Sequence, residues 1–177
     1  ERRYIMDSSI IDVNHEAARL GYYGQSNESL NDYIKQIIIN KGSKDGVRNT
    51  QLIVGSDGVV GQVTQVTPLY STVQLITDPT QHIPVKNVRN GIRGITKGLA
   101  TNERGMIVEF ITLDSDVKLG DIFVTSGIGT TCPPGYLVGK VSKIDKPPNE
   151  AFLTITLKPI QNMDKLELIL IISQKND

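Results

Sequence analysis

The strongest constraint on this chain is that it contains a degenerate copy of itself. Residues 45–79 run from DGVRNTQLIV through GVVGQVTQV to STVQLITDP, and residues 115–159 run from SDVKLGDIFV through YLVGKVSKI to AFLTITLKP. Side by side, Val47 falls on Val117, Leu52 on Ile122, Val54 on Val124, Gly61 on Gly139, Val63 on Val141, Val66 on Ile144, Val73 on Leu153 and Pro79 on Pro159. The shared positions are apolar residues, turn glycines and a proline, so the repeat is one of core and turns. Two such units predict tandem small domains of one design. No catalytic group recurs with them, which favours a scaffold. The second copy carries an extra stretch, Ser126 to Pro134, between two of its strands.

Period-two alternation, or short Val, Ile and Thr runs ended by Gly, Pro, Asn or Asp, recurs about twelve times along the chain. The predicted strands lie at 8–13, 33–40, 51–54, 58–66, 71–77, 82–88, 91–99, 105–112, 121–125, 136–144, 151–158 and 166–172. The expected fold is therefore all-β: two small six-stranded β-barrels in tandem, because closure removes exposed strand edges. The expected units are an N-terminal segment at 1–32, barrel 1 at 33–102 and barrel 2 at 103–177. The strand at 166–172 is apolar on both faces and is expected to return to barrel 1. A helix fits only near the N-terminus or in Ser26 to Gln36, and the glycines within Asn87 to Gly105 read as a hinge between barrels.

Composition narrows the function. Lys plus Arg equals Asp plus Glu at 19 each, so no net positive field exists to bind a polyanion, which argues against nucleic acid. Cys132 is the single cysteine and His15 and His82 the only histidines. These have no metal-site spacing, and neither a metal nor a cofactor is expected. The longest apolar runs fall far short of the roughly 20 residues of a spanning helix. The start at Glu1, without Met, reads as a piece of something longer.

One catalytic arrangement competes with the scaffold. His82, an acid from Asp114, Asp116 or Asp121, and Ser126 stand in the chain order of a two-barrel serine protease, which gives the alternative of a serine hydrolase using His82 and Ser126. The nucleophile segment lacks the Gly-Asp-Ser-Gly-Gly run that shapes an oxyanion hole. Asp121 reads instead as a turn residue opening a strand, and Asp78 as a turn cap before His82. Arg89, Arg93, Lys97 and Arg104 read as a solvated basic strand face.

Candidate contact residues come from the aromatic side chains and the inserted stretch. Tyr22 and Tyr23 sit in a Gly-flanked segment, Tyr70 precedes a strand, and Phe110 lies on an apolar face that suits either core or contact. The stretch from Ser126 to Tyr136, with Ile128, Cys132, Pro133, Pro134 and Tyr136, reads as a partner-facing loop, or else as one that closes a barrel end. Phe123 and Phe152 read as core.

Taken in order, KGSKDGV at 41–47, DGVVGQVTQV at 57–66, VQLITDP at 73–79 with IPV at 83–85, DVKLGDIFVTSG at 116–127 and PPGYLVGKVSKI at 133–144 resemble the rod shape-determining MreC family. The likeness covers about 41–172; Asn49, Thr50, Cys132 and Tyr136 depart from its pattern. The resemblance implies a protein with one inner-membrane helix, a coiled coil and an extracytoplasmic, periplasmic β-domain of two barrels. This chain would be that β-domain, entered by a short helix at about Glu1 to Met6 left from the coiled coil. It also implies a non-enzymatic scaffold of the cell-elongation complex. Its partners would be a class B penicillin-binding protein of elongation and other membrane proteins of the complex. Self-association would run through the coiled coil and, weakly, the β-domain, with membrane attachment only through the absent helix.

Overall fold

The computed structural model of the chain describes residues 3–12, 35–99, 105–128, 132–163, 166 and 168–175. They form twelve strands: β1 (Arg3–Asp12), β2 (Gln36–Ile39), β3 (Leu52–Val54), β4 (Val59–Val66), β5 (Ser71–Leu75), β6 (Pro84–Asn87), β7 (Arg93–Gly98), β8 (Met106–Glu109), β9 (Ile122–Thr125), β10 (Leu137–Asp145), β11 (Thr154–Pro159) and β12 (Leu168–Lys175). Each overlaps a strand read from the alternation. A 3-10 turn at Ser43–Asp45 is held by the Asp45 carboxylate accepting from the Gly42 N–H at 3.0 Å. The fold is all-β.

Only one unit closes. Strands β10, β11, β8, β7, β6 and β9 form a closed barrel, whereas β1, β12, β3, β4, β5 and β2 form a six-stranded sheet in that order, with β1 and β2 at its ends. The boundary expected at 102 is thereby corrected. Residues 84–98 carry β6 and β7, which pair with each other, with β9 and with β8 inside the barrel, so this stretch is barrel wall and not a hinge. The strand expected at 166–172 pairs with β3 of the sheet and, on its other side, with β1. The helix expected at Glu1 to Met6 is corrected too: Arg3–Asp12 is extended and paired along β12. Apart from Lys35 and Gln36, the expected helix at Ser26 to Gln36 lies outside the described residues, and Gln36 begins β2.

The duplication is real at the level of hydrogen-bond register. In the sheet, Leu52, Ile53 and Val54 pair with Gln62, Gly61 and Val59; in the barrel, Ile122, Phe123 and Val124 pair with Lys140, Gly139 and Leu137. Both pairings skip one residue, Val60 and Val138. The next hairpins skip Thr64 and Ser142, again at equivalent positions, so each repeat carries the same two β-bulges and the same added twist. Gly61 and Gly139 occupy the tight point beside the first bulge. A Cβ on Gly61 would collide with the Gln74 carbonyl, and one on Gly139 would lie 2.9 Å from the Leu157 Cβ.

Register also corrects the third strand of the alignment. Val63 pairs with Val73 and Val141 with Leu157, so Leu157, not Leu153, is the counterpart of Val73, and Pro159 that of Leu75 rather than of Pro79. The slip arises because the β10–β11 connection, 146–153, is longer than its counterpart at 67–70.

With β3, β4 and β5 matched to β9, β10 and β11, the remaining strands match as well: β12 stands where β6 does, β1 where β7 does and β2 where β8 does. The sheet is the barrel's strand order circularly permuted. Where a turn joins β6 to β7 near the Lys86–Arg93 pair, the sheet has Lys175 opposite Arg3.

Two clusters of buried apolar side chains fill the molecule. One packs Ile37, Ile39, Ile53, Val60, Val73 and Ile171 within the sheet unit; the other joins Leu52, Val54, Val59 and Ile172 of that unit to the barrel interior around Phe123, Met106 and Ile155. Successive residues of β3, β4 and β12 thus point into different cores, which explains their unbroken apolar runs.

Truncation after Met163 removes a strand that lies between β1 and β3, and it is expected to abolish the cooperative thermal transition of the sheet unit. Ile171→Ala and Ile172→Ala are each expected to cost about 2–5 kcal/mol in urea unfolding. A truncated chain whose β3 and β4 amides keep native hydrogen-exchange protection would contradict this placement.

Candidate protein-interaction surface

The barrel has two unlike ends. At one, the starts of β6, β8 and β10 and the ends of β7, β9 and β11 meet the sheet unit, whose β3–β4 turn lies against Leu137 and Gln161. At the other, the turn at 88–92, the loop at 110–121 and the connection at 146–153 emerge together.

The hydrolase set does not assemble. The Ser126 N–H donates to the Pro84 carbonyl at 3.0 Å, which fixes that serine near the sheet-facing end. Asp116 and Asp121 stand at the opposite end and are engaged by Arg89. Between Asp121 and Ser126 runs all of β9, four residues at about 3.3 Å each. Asp114 accepts from the Thr112 hydroxyl at 2.7 Å. Asp78 caps its own turn, accepting from the Thr80 N–H at 2.7 Å, and His82 is exposed just before β6. Among the described residues no group of three His, Cys, Asp or Glu side chains is placed to hold a metal ion.

The outer end is built on one ion-pair network. Arg89 Nε and Nη2 donate to the two Asp121 oxygens at 3.0 and 2.9 Å, and Nη1 donates to Asp116 at 2.8 Å. The Asn87 amide and the Lys118 N–H also donate to Asp121, both at 2.8 Å. This bidentate arrangement suits a planar guanidinium. Asp121 is 9% exposed and Arg89 37%. The basic stretch read as solvated therefore contains one structural arginine, while Asp121 does open β9 as expected.

Hydrogen bonds from Arg89, reinforced by the Lys118 N–H and the Asn87 amide, hold the Asp121 carboxyl well below the usual carboxylate range against the opposing effect of burial. Asp116 is lowered in the same direction, chiefly by Arg89. The network ties the 110–121 loop to the 88–92 turn.

Two aromatic rings stand out on that loop end. Phe110 is 57% exposed and Phe152 41%, and their rings meet edge to face with centroids 5.8 Å apart at 87°. Leu113, Leu119 and Val88 are exposed on the same set of loops. Phe110 turns outward because its φ is +68°, which breaks the alternation after Met106 and Val108 and sends Ile111 inward in its place. Placing Phe152 in the core was wrong. Leu153, Ile155 and Leu157 are the inward set of that strand, and Phe152 shares the outward phase of Thr154 and Thr156, a signal present in the alternation itself.

The inserted stretch is partly core. Cys132 is 3% exposed in the barrel cluster and receives a contact from the Gln62 amide of β4 at 3.0 Å, and Pro133 is buried with its carbonyl accepting from the Thr125 hydroxyl. Neither side chain is therefore part of the exposed surface. Ile128 remains exposed at 48%, while Pro134 and Tyr136 are half-buried. Tyr70 is exposed beside Leu69 at the outer end of the sheet unit. Tyr22 and Tyr23 lie outside the described residues.

Fold and surface together define an all-β module of two related units, one closed barrel and one six-stranded sheet, with exposed apolar side chains on its loops. It belongs to the family described as rod shape-determining protein MreC, barrel core, which matches residues 26–173. The cell shape-determining protein MreC of Escherichia coli K12 is 36% identical over 145 residues, covering 81% of this chain and 39% of its own length. The chain spans about two fifths of the length of the curated relatives from Escherichia coli and Haemophilus influenzae that it matches. Among solved structures, MreC from Pseudomonas aeruginosa is similar at a TM-score of 0.76 and 28% identity, covering 96% of this chain and 98% of its own. A complex between penicillin-binding protein PBP2 and MreC from Helicobacter pylori shares the fold at a TM-score of 0.70 and 16% identity, covering 99% of this chain and 100% of the matched one.

Because folding lowers the proton affinity of Asp121, its stabilisation is complete above the unfolded carboxyl pKa of about 3.9 and is lost as pH falls from there toward the folded value. Asp121→Asn is expected to cost about 1–3 kcal/mol at neutral pH. It is also expected to flatten the fall in melting temperature between about pH 4 and pH 2. Parallel wild-type and variant melting curves across that range would contradict the assignment.

Proposed function

We propose that this chain is the extracytoplasmic β-domain of a scaffold of the bacterial elongation complex and that it binds the class B penicillin-binding protein of that complex. The observation that carries the reading is the family match across residues 26–173, joined to a fold shared with a protein solved together with a penicillin-binding protein. The module acts by surfaces and not as an enzyme; the separation of Ser126 from Asp116 and Asp121 across β9 supports this. The sheet unit is the open counterpart of the barrel, and the two units are the structural domains of the fragment. The parent protein sits in the inner membrane with this domain in the periplasm, and it meets other membrane proteins of the complex there. Self-association is strongest through segments that precede this domain and weak through the domain itself, with avidity added when copies share a membrane.

The exposed rings and aliphatic side chains supply the contact. The candidates fall in separate patches: Phe110, joined by Phe152, at the barrel's outer end; Ile128 with the half-buried Pro134 and Tyr136 at its sheet-facing end; and Tyr70 at the outer end of the sheet unit. Exposed apolar side chains grouped on rigid loops commonly mark interaction sites, and aromatic anchors carry most of the energy in such interfaces.

In biolayer interferometry against the ectodomain of an elongation-class penicillin-binding protein, the wild-type chain is expected to bind. Phe110→Ser/Phe152→Ser, or Ile128→Ser/Tyr136→Ser, is expected to weaken binding at least tenfold, about 1.4 kcal/mol. The exposed pair should leave the melting temperature nearly unchanged. A wild-type chain that binds no such ectodomain would overturn the reading.

A further inference from the structure

The sheet and the barrel meet where the β3–β4 turn lies against Leu137 and Gln161 and where Gln62 of β4 reaches Cys132. At the centre of this joint stands Gln161, which follows β11 and is 3% exposed. Its Oε1 accepts from the Asp57 N–H at 2.8 Å and the Gly58 N–H at 3.0 Å, across the boundary between the units, and its Nε2 donates to the Asn162 carbonyl at 3.2 Å. A carbonyl oxygen has two lone pairs, and both are used on one turn.

The turn is shaped to receive that amide. A Cβ on Gly55 would lie 2.5 Å from Gln161 Oε1, and one on Gly58 would lie 2.6 Å from the Leu137 carbonyl oxygen at the start of β10. The backbone of the turn is thus pressed against the barrel on two sides, closer than any side chain would permit. Around it, Leu52, Val54 and Val59 complete the barrel's own apolar cluster.

Apolar packing is tolerant of small rotations, whereas two N–H donors converging on one buried oxygen are directional. We propose that Gln161 is a positioning residue that fixes the orientation of the sheet unit on the barrel, so that the two outer loop ends are presented at one set angle. The proposal stands independently of which partner those ends meet.

The test uses the whole chain with spin labels at Lys44 and Glu150, one on each outer end, together with hydrogen exchange at Asp57 and Gly58. Gln161→Ala is expected to speed exchange of those two amides at least tenfold and to broaden the label-to-label distance distribution, while amides within β10 and β11 keep their protection. Gly58→Ala, with Gln161 intact, forces the turn off Leu137 and is expected to broaden it, which provides the decisive measurement if Gln161→Ala does not fold. A narrow, unshifted distribution in Gln161→Ala or in Gly58→Ala would overturn the proposal.

Discussion

The structure depends on strands that are buried on both faces at the junction of its two cores. In β3, Ile53 packs into the sheet's own cluster while Leu52 and Val54 pack into the barrel's; Val60 and Val59 divide the same way, as do Ile171 and Ile172. Each fully buried aliphatic side chain contributes about 1.5–3 kcal/mol, but position matters more than the sum here. These residues make the sheet unit a lid on the barrel, so neither core is complete without the other. A hydrophilic substitution at Leu52 would open the barrel end as well as the sheet.

The outer end of the barrel follows a different logic. Ile92, Ile111, Val117 and Leu153 tie its loops to the barrel cluster, and the Arg89 guanidinium adds a polar clamp by spanning Asp116 and Asp121. Because Asp121 is buried and receives donors from three residues, the pair escapes the weakness of exposed ion pairs. With the 110–121 loop anchored at that side, Phe110 can remain outside in a left-handed backbone conformation, braced by Phe152. Backbone strain and an exposed ring thus coincide at this one position.

Much of this was legible in the chain because the controlling signals are local. Alternation fell within each of the twelve strands of the described residues, though it found only the second half of β1, and the apolar character of 166–172 on both faces anticipated a central strand. Which strands share a sheet depends on contacts distant in sequence. Nothing in residues 84–98 distinguishes barrel wall from the end of the preceding unit, and the glycines there resemble a hinge until Val85 and Ile95 are seen paired within the wall. The surface was half visible: the outward phase of Phe152 was readable, but the inward turn of Cys132 and Pro133 required knowing that β4 passes beside them. Gln161 carries no motif, and only the packed joint gives it meaning.

The permuted arrangement of the first repeat bears on the order in which the chain acquires structure. All the strands of the barrel lie between Pro84 and Pro159, so its closure needs only a contiguous stretch, and Val85 meets Thr125 over a modest loop. The sheet must instead wait for its last strand, since Arg3 meets Lys175 over a separation roughly four times greater, an added closure cost of about 1 kcal/mol. During synthesis from the N-terminus, β3, β4 and β5 emerge early with one flank unpaired, and that flank stays open until β12 is made. The barrel's strands can therefore pair before the sheet's do, while its apolar cluster is finished only when Leu52, Val54, Val59 and Ile172 dock on it.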